Sequence, residues 1–286
     1  DNGSAERDSS WTFVSGASYS STKAHTGHRS ILMGSTSASV QASFYQIYKA
    51  DNSCKYTASA YVDVSGLTFA SVGGIYLKAV STDGTVIGDK LNVNLTQSTG
   101  DNWQRIYVTF DAVETHEYTI YICMDGVTGN AYVDDIQLEE GGAPSSYNLV
   151  EDFDLWNYYG VTRYEAVPNT QIFRSCIGLA STNAIGSRLS ASYIIPINKS
   201  ANTTFHLSGW AYATSTPRAY SRTLGLAATI YYTNGESETM LVPFNEDLWN
   251  QPQFAQGVIA PTKTELTISY IKVAIVYENH LCAAYV

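Results

Sequence analysis

The second half of this chain repeats the first, and that repetition constrains the fold more than any other feature. Ala131-Tyr132-Val133 reappears as Ala284-Tyr285-Val286. YTASAYVDV (56–64) falls on FHLSGWAYA (205–213), and GIYLKAVSTDGT (74–85) on GLAATIYYTNGE (225–236), with Asp83-Gly84 over Asn234-Gly235. HRSILMG (28–34) falls on FRSCIGL (173–179) and DNWQ (101–104) on DLWN (247–250). The offsets run from 145 to 153 residues, so the match is collinear with small insertions. Two copies of one domain are expected, at 1–141 and 151–286, joined by a short Gly/Pro/Ser linker at 142–150. The second copy has no counterpart of DDIQLEE (134–140), so its last strand is expected to be truncated and the chain to be part of a larger polypeptide.

Each copy reads as a run of short strands. In the first they are expected near 11–14, 29–34, 38–48, 54–64, 73–81, 86–93, 103–110, 117–124 and 130–138, punctuated by turn pairs such as Asp83-Gly84 and Asp125-Gly126. No stretch carries Ala, Leu, Glu and Lys at helical spacing, and strands at this spacing predict an all-β protein of two tandem β-sandwich or jelly-roll domains. Period-two alternation assigns the core: Tyr56, Ala58, Ala60, Val62 and Val64; Ile75, Leu77 and Ala79; Ile106, Val108 and Phe110; Tyr118, Ile120 and Ile122. The opposite parity presents Tyr61, Tyr76, Lys78, Arg105, Tyr107 and Tyr121, and in the second copy His206, Trp210, Tyr212 and Tyr231. Soluble sheets usually show Ser, Thr and Lys there, so aromatics in this number point to a surface with a use. Trp11, Trp103, Trp156 and Trp249 recur near strand starts and are expected to cap the ends of the cores.

The formal net charge of -10 argues against nucleic acid, which requires a basic stripe to track phosphates. No apolar run is long enough to predict membrane insertion. Cys54, Cys123, Cys176 and Cys282 lie far apart, with no pairing at zinc spacing, and are expected as free thiols in or near the cores. Catalysis finds no support: there is no G-x-S-x-G or H-E-x-x-H, and the acids Glu139-Glu140 and Glu236/Glu238 fall in turns where solvation is the ordinary role. HTGH (25–28) is expected to be a solvated turn.

The opening Asn2-Gly3 with Glu6 and then Trp11, the GHRSI stretch (27–31), YTASAYV, DNWQRIYVTF and AYVDDIQLEEG together resemble tandem carbohydrate-binding-module domains of the family 4/9/22 jelly-roll type. More narrowly they are similar to the paired domains of Gram-positive RHS/YD-repeat wall-associated proteins. The resemblance covers nearly the whole chain and speaks to fold more than to ligand. It implies a secreted or bacterial cell-surface setting and a non-catalytic pair that anchors a larger protein to polysaccharide or cell-wall glycan. The alternative is a structural or adhesive spacer with no sugar site. It also implies a structural Ca2+ in the first domain, held by Glu6 with Asp134 or Asp135, hard oxygen ligands of the kind this ion selects. For sugar contact it directs attention to Tyr61, Tyr76, Tyr107 and Tyr121 with Arg105 and Lys78, and to Trp210, Tyr212 and Tyr231, provided their strands share one concave sheet.

Overall fold

A computed structural model describes residues 2–92, 103–150, 156–164, 176–181, 188–214, 223–245, 247–248, 250–279 and 283–286. Every element among them is a β-strand. The chain divides into two units, Asp1–Glu151 and Asp152–Val286.

Unit one contains β1 (Thr12–Ser15), β2 (Ala17–Ser20), β3 (Ser30–Ser35), β4 (Ala42–Lys49), β5 (Lys55–Ser81), β6 (Val86–Asn92), β7 (Gln104–Asp111) and β8 (Glu117–Glu140). The expected strands at 54–64 and 73–81 are one continuous β5, and those at 117–124 and 130–138 are one β8. β2 has no counterpart in the sequence reading. A flat strand of 27 residues would run roughly 90 Å at about 3.3 Å per residue, several times the radius of a domain this size. β5 and β8 therefore fold over together, and each serves two sheets. Their shared ladder slips between Asp63 and Gly66 and again between Phe69 and Gly74, where the bend lies. Gly129 stands at that corner with φ +104, and a Cβ there would lie 2.1 Å from the Gly66 carbonyl oxygen. Only glycine fits such an approach. Asp125-Gly126, expected as a turn, lies inside β8 and belongs to the same bend.

The result is a sandwich. Its front sheet runs β1-β4-β8-β5-β6, using the first part of β8 and the last part of β5. Its back sheet runs β2-β3-β8-β5-β7, using the remaining parts. All the residues assigned inward by alternation are buried between them, from Tyr56 to Ile122. Each large apolar side chain so buried contributes about 1.5–3 kcal/mol. Trp11 closes one end, its ring edge-on to Phe44 at 5.2 Å and its Nε1 donating to the Asn2 carbonyl at 2.9 Å.

Unit two contains β9 (Asn157–Tyr159), β10 (Thr162–Tyr164), β11 (Cys176–Ala180), β12 (Arg188–Ser200), β13 (Phe205–Ala213), β14 (Thr223–Tyr232), β15 (Ser237–Pro243), β16 (Pro252–Ile259), β17 (Thr267–Glu278) and β18 (Ala283–Tyr285). Its sheets run β9-β12-β17-β14-β15 and β10-β11-β18-β13-β16. This is the order of unit one, strand for strand. Asp83-Gly84 and Asn234-Gly235 form the same hairpin turn, with the glycines at φ +86 and +89. In each the Asp or Asn side chain accepts from the amide two residues on.

The register corrects one alignment. Tyr132 pairs with Leu32, whereas Tyr285 pairs with Gly178. Ile31 and Met33 therefore correspond to Ile177 and Leu179, one residue later than the match of 28–34 with 173–179. All four are buried. Period two explains why: a slip of one would turn the apolar set outward. The terminal Ala284-Tyr285-Val286 occupies the place of Ala131-Tyr132-Val133 in its sheet. Cys54, Cys123 and Cys176 are free thiols, the first half-buried and the others buried. Trp249 and Cys282 lie outside the described residues.

Candidate functional site

The opening motif is a knot that ties the start of the chain to β8. The Asn2 side-chain amide donates to the carbonyls of Arg7 and Ser9, both at 2.8 Å, and its oxygen accepts from the Arg7 amide. Gly3 accepts from the Ile136 amide at 2.9 Å, and a Cβ on it would fall 2.1 Å from the Ile136 oxygen. Glu6 Oε1 then accepts from the amides of His28 and Arg29 at 2.7 and 2.8 Å.

Asp134 and Asp135 hold the other end of the same loop. Asp134 Oδ2 accepts from the amides of His25 and Thr26 at 2.7 and 3.1 Å, and its Oδ1 from the amide of Asp135. Asp135 Oδ2 lies 2.6 Å from His25 Nδ1, and its Oδ1 accepts from Thr26 Oγ1 at 2.5 Å. Both aspartates are buried, and so is Thr26. Burial, with the Asp135 carboxylate beside it, raises the Asp134 pKa well above the carboxylate range, against the three amides that favour its charge. HTGH is thus no solvated turn but a strap pinned by three carboxylates. This bears directly on calcium. Each oxygen of the aspartate pair already has a protein donor, and no group of three His, Cys, Asp or Glu able to hold a metal ion occurs among the described residues. The residues implied for the ion, Glu6, Asp134 and Asp135, do not converge as one donor set: Glu6 binds the strap at His28 and Arg29, and the aspartates bind it at His25 and Thr26.

The strap also decides what happens on the back sheet. It lays the His25 ring flat on Tyr61, centroids 4.0 Å apart and planes at 13°, with Trp103 tilted against His25 at 5.5 Å. Arg105 stands 5.5 Å from the Tyr61 ring. Its Nη2 donates to Ser59 Oγ at 2.8 Å, and its Nη1 donates to the Ser145 carbonyl. Its buried Nε makes no hydrogen bond. Tyr61 and Arg105 are therefore covered by the unit's own residues, and of the predicted set on this sheet Tyr107 alone is exposed.

Tyr76, Lys78 and Tyr121 lie on the front sheet, facing the opposite way. The predicted sugar residues of unit one do not form one group. On the front sheet, Tyr121 is the centre: Tyr45 lies directly across from it with ring centroids 5.0 Å apart, and Lys78 Nζ stands 5.1 Å from its ring. Beside them Tyr76 is buried, donating to Asp125 Oδ2 at 3.0 Å and accepting from Gln41 Nε2 at 3.3 Å. Burial raises the Tyr76 pKa, with Cys123 and Asp125 adding to it, so the phenol stays neutral. Burial likewise pushes the Cys123 thiol up to about 11, which leaves it protonated and unreactive. Tyr45, Gln41 and Asp125 were missed in the sequence. Tyr45 was the most findable, since alternation within the expected strand 38–48 turns it outward beside the buried Phe44.

In unit two, Trp210 and Tyr212 point outward from the back sheet, and Tyr231 from the front. Trp210 pairs across the ladder with Phe254, rings 5.2 Å apart, and the two are 47% and 48% exposed. Tyr212 pairs with Tyr285 at 6.4 Å. Tyr231 stacks on Tyr270 at 4.4 Å. The acids expected to be solvated are exposed or half-exposed, and each also has a partner: Glu139 accepts from Ser145 and Gln137, Glu140 from Tyr56, Glu238 from Tyr232 and Thr262, and Glu236 pairs with Lys263.

No family model matches the chain, and no curated protein matches it. Among solved structures it is similar to the N-terminal CBM22-1-CBM22-2 tandem domain of Paenibacillus barcinonensis Xyn10C, over 98% of this chain and 92% of that one, at 12% identity and a TM-score of 0.35. A family 16 carbohydrate-binding module-2 is similar over 49% of this chain and 98% of its own, at 17% identity and a TM-score of 0.36. The C-terminal family 22 module of Clostridium thermocellum Xyn10B is similar over 49% of this chain and 91% of its own, at 18% identity and a TM-score of 0.36. Likenesses this distant carry no argument about a ligand for this chain.

Proposed function

We propose that this chain is a non-catalytic carbohydrate-binding tandem module that holds a larger secreted or cell-surface protein on polysaccharide or cell-wall glycan. The observation that carries the reading is the front-sheet cluster of unit one. Tyr121 and Tyr45 offer aromatic faces, which suit the C–H face of a pyranose, and they sit beside groups that can exchange hydrogen bonds with hydroxyls. Lys78 supplies donors, Asp125 acceptors, and the Gln41–Tyr76–Asp125 hydrogen bonds fix the positions of the surrounding groups. A small set of oriented polar groups around an apolar face is the usual composition of a small-ligand site. No hydrolytic pair is needed, and the buried aspartates hold the strap, Asp134 through backbone amides and Asp135 through the side chains of His25 and Thr26.

One observation favours the spacer reading: on the back sheet of unit one the strap covers Tyr61, and Arg105 is tied to Ser59 and Ser145. A glycan array with the intact chain separates the two. Binding that weakens at least tenfold in Tyr121→Ala supports the front-sheet site. Absence of binding to every glycan, from a chain whose thermal melt shows it folded, favours the spacer.

A further inference from the structure

The back sheets of the two units differ in what covers their outward face. In unit one that face carries Tyr61 under His25, and Arg105 tied to Ser145. The matched ladder positions in unit two are Trp210 and Phe254, and both are about half exposed. Tyr212 and Tyr285 form the next row, with the Tyr212 hydroxyl donating to Asn250 Oδ1 at 3.2 Å. On the other side of the Trp210 row stand Ser208 and Gln256, paired and exposed. Neither β13 nor β16 contains a single Asp, Glu, Lys or Arg.

We propose that this face is a second glycan-binding site, selective for uncharged polysaccharide, and placed on the opposite sheet from the site of unit one. The inference rests on the carbohydrate reading above. Adjacent aromatic rows provide apolar contact for successive sugar rings, and Ser208 and Gln256 provide neutral donors and acceptors for hydroxyls. The absence of fixed charge on both strands makes the face a poor match for uronate or sulfate. It also makes binding insensitive to salt, since no ion pair is there to be screened. The unit-one site, with Lys78 and Asp125 beside its aromatics, has a different character.

The test uses the intact chain and a panel of soluble polysaccharides, neutral (arabinoxylan, galactan, mixed-linkage glucan) and acidic (polygalacturonate). Tyr121→Ala serves as the background, to remove the unit-one contribution. The expected result is residual binding to a neutral polymer that is unchanged by 0.5 M NaCl, on the order of the screening strength at which surface charge effects vanish. Adding Trp210→Ala or Phe254→Ala should weaken it at least tenfold with an unaltered thermal melt. Binding equal in the single and double variants overturns the second site and leaves the first standing. So does loss of all binding in Tyr121→Ala alone. Preference for the acidic polymer overturns the selectivity. Concentration-dependent dimerisation abolished by Trp210→Ala overturns the glycan assignment in favour of self-association. No binding by the wild type to any member overturns both sites together.

Discussion

Single residues in this protein are most informative where carboxylates meet backbone amides. Asp134 accepts from three amides at the junction of β8 and the strap, so Asp134→Ala leaves buried donors without partners. A cost of roughly 3 kcal/mol or more is expected in denaturant unfolding of unit one, summing unsatisfied donors at about 1–3 kcal/mol each. Because these donors do the work assigned by resemblance to calcium, a chelator should leave the melting temperature unchanged; a fall would restore the ion, since a tight native-state ligand must stabilise. Asp63 offers a pH test. It is buried and receives a 2.7 Å bond from Lys23 Nζ. Burial alone would raise its pKa, but Lys23 and the Ser65 bonds outweigh that and lower it. A lowered folded pKa means stability that is present above the unfolded value of about 4 and lost as pH falls through the folded one. The stability gap between wild type and Asp63→Asn should therefore be full at neutral pH and shrink below about pH 4, read as the difference in denaturation midpoints.

At the scale of elements, the bend of β5 over β8 is what turns a string of strands into a sandwich. Gly129 tests it. Its φ of +104 and the Gly66 oxygen 2.1 Å from the position of a Cβ predict that Gly129→Ala costs about 2 kcal/mol or more through strain and backbone displacement. Gly84→Ala is the control, with φ +86 but open space around the added methyl, and about 1 kcal/mol is expected from conformation alone. Equal losses at the two sites, measured by urea unfolding, would contradict the corner's tight packing. The fused β5 and β8 were not legible in the sequence because the inward parity changes across each bend, from even positions at 56–64 to odd ones at 75–79 in β5 and from 118–124 to 127–133 in β8, so each reads as two separate strands. β2 escaped because Ala17–Ser20 is short, lies at a sheet edge and carries two serines, which weakens the apolar signal. The strap was misread because its ties to Asp134 and Asp135 come from residues some 110 positions away, and no local pattern reports a partner at that distance.

For the molecule as a whole, the repeat predicts two cores built from separate sets of strands. Leu77 and Ile230 are both fully buried, one in each unit. Leu77→Ala and Ile230→Ala should each cost about 2–5 kcal/mol, and in the double variant the costs should add to within about 0.5 kcal/mol. Marked non-additivity in chemical denaturation would mean the two positions do not belong to independent cores. By itself the sequence determined the all-β class, the doubling and the inward residues, because a period of two and a collinear repeat are written along the chain. Tertiary structure alone decided which outward residues share a surface. Alternation separates inside from outside, but a sandwich has two outsides, and a strand that bends from one sheet to the other carries its outward residues from one to the other. That is why Tyr61 and Tyr76, both on β5, face opposite ways, and why His25, distant in sequence, covers one of them.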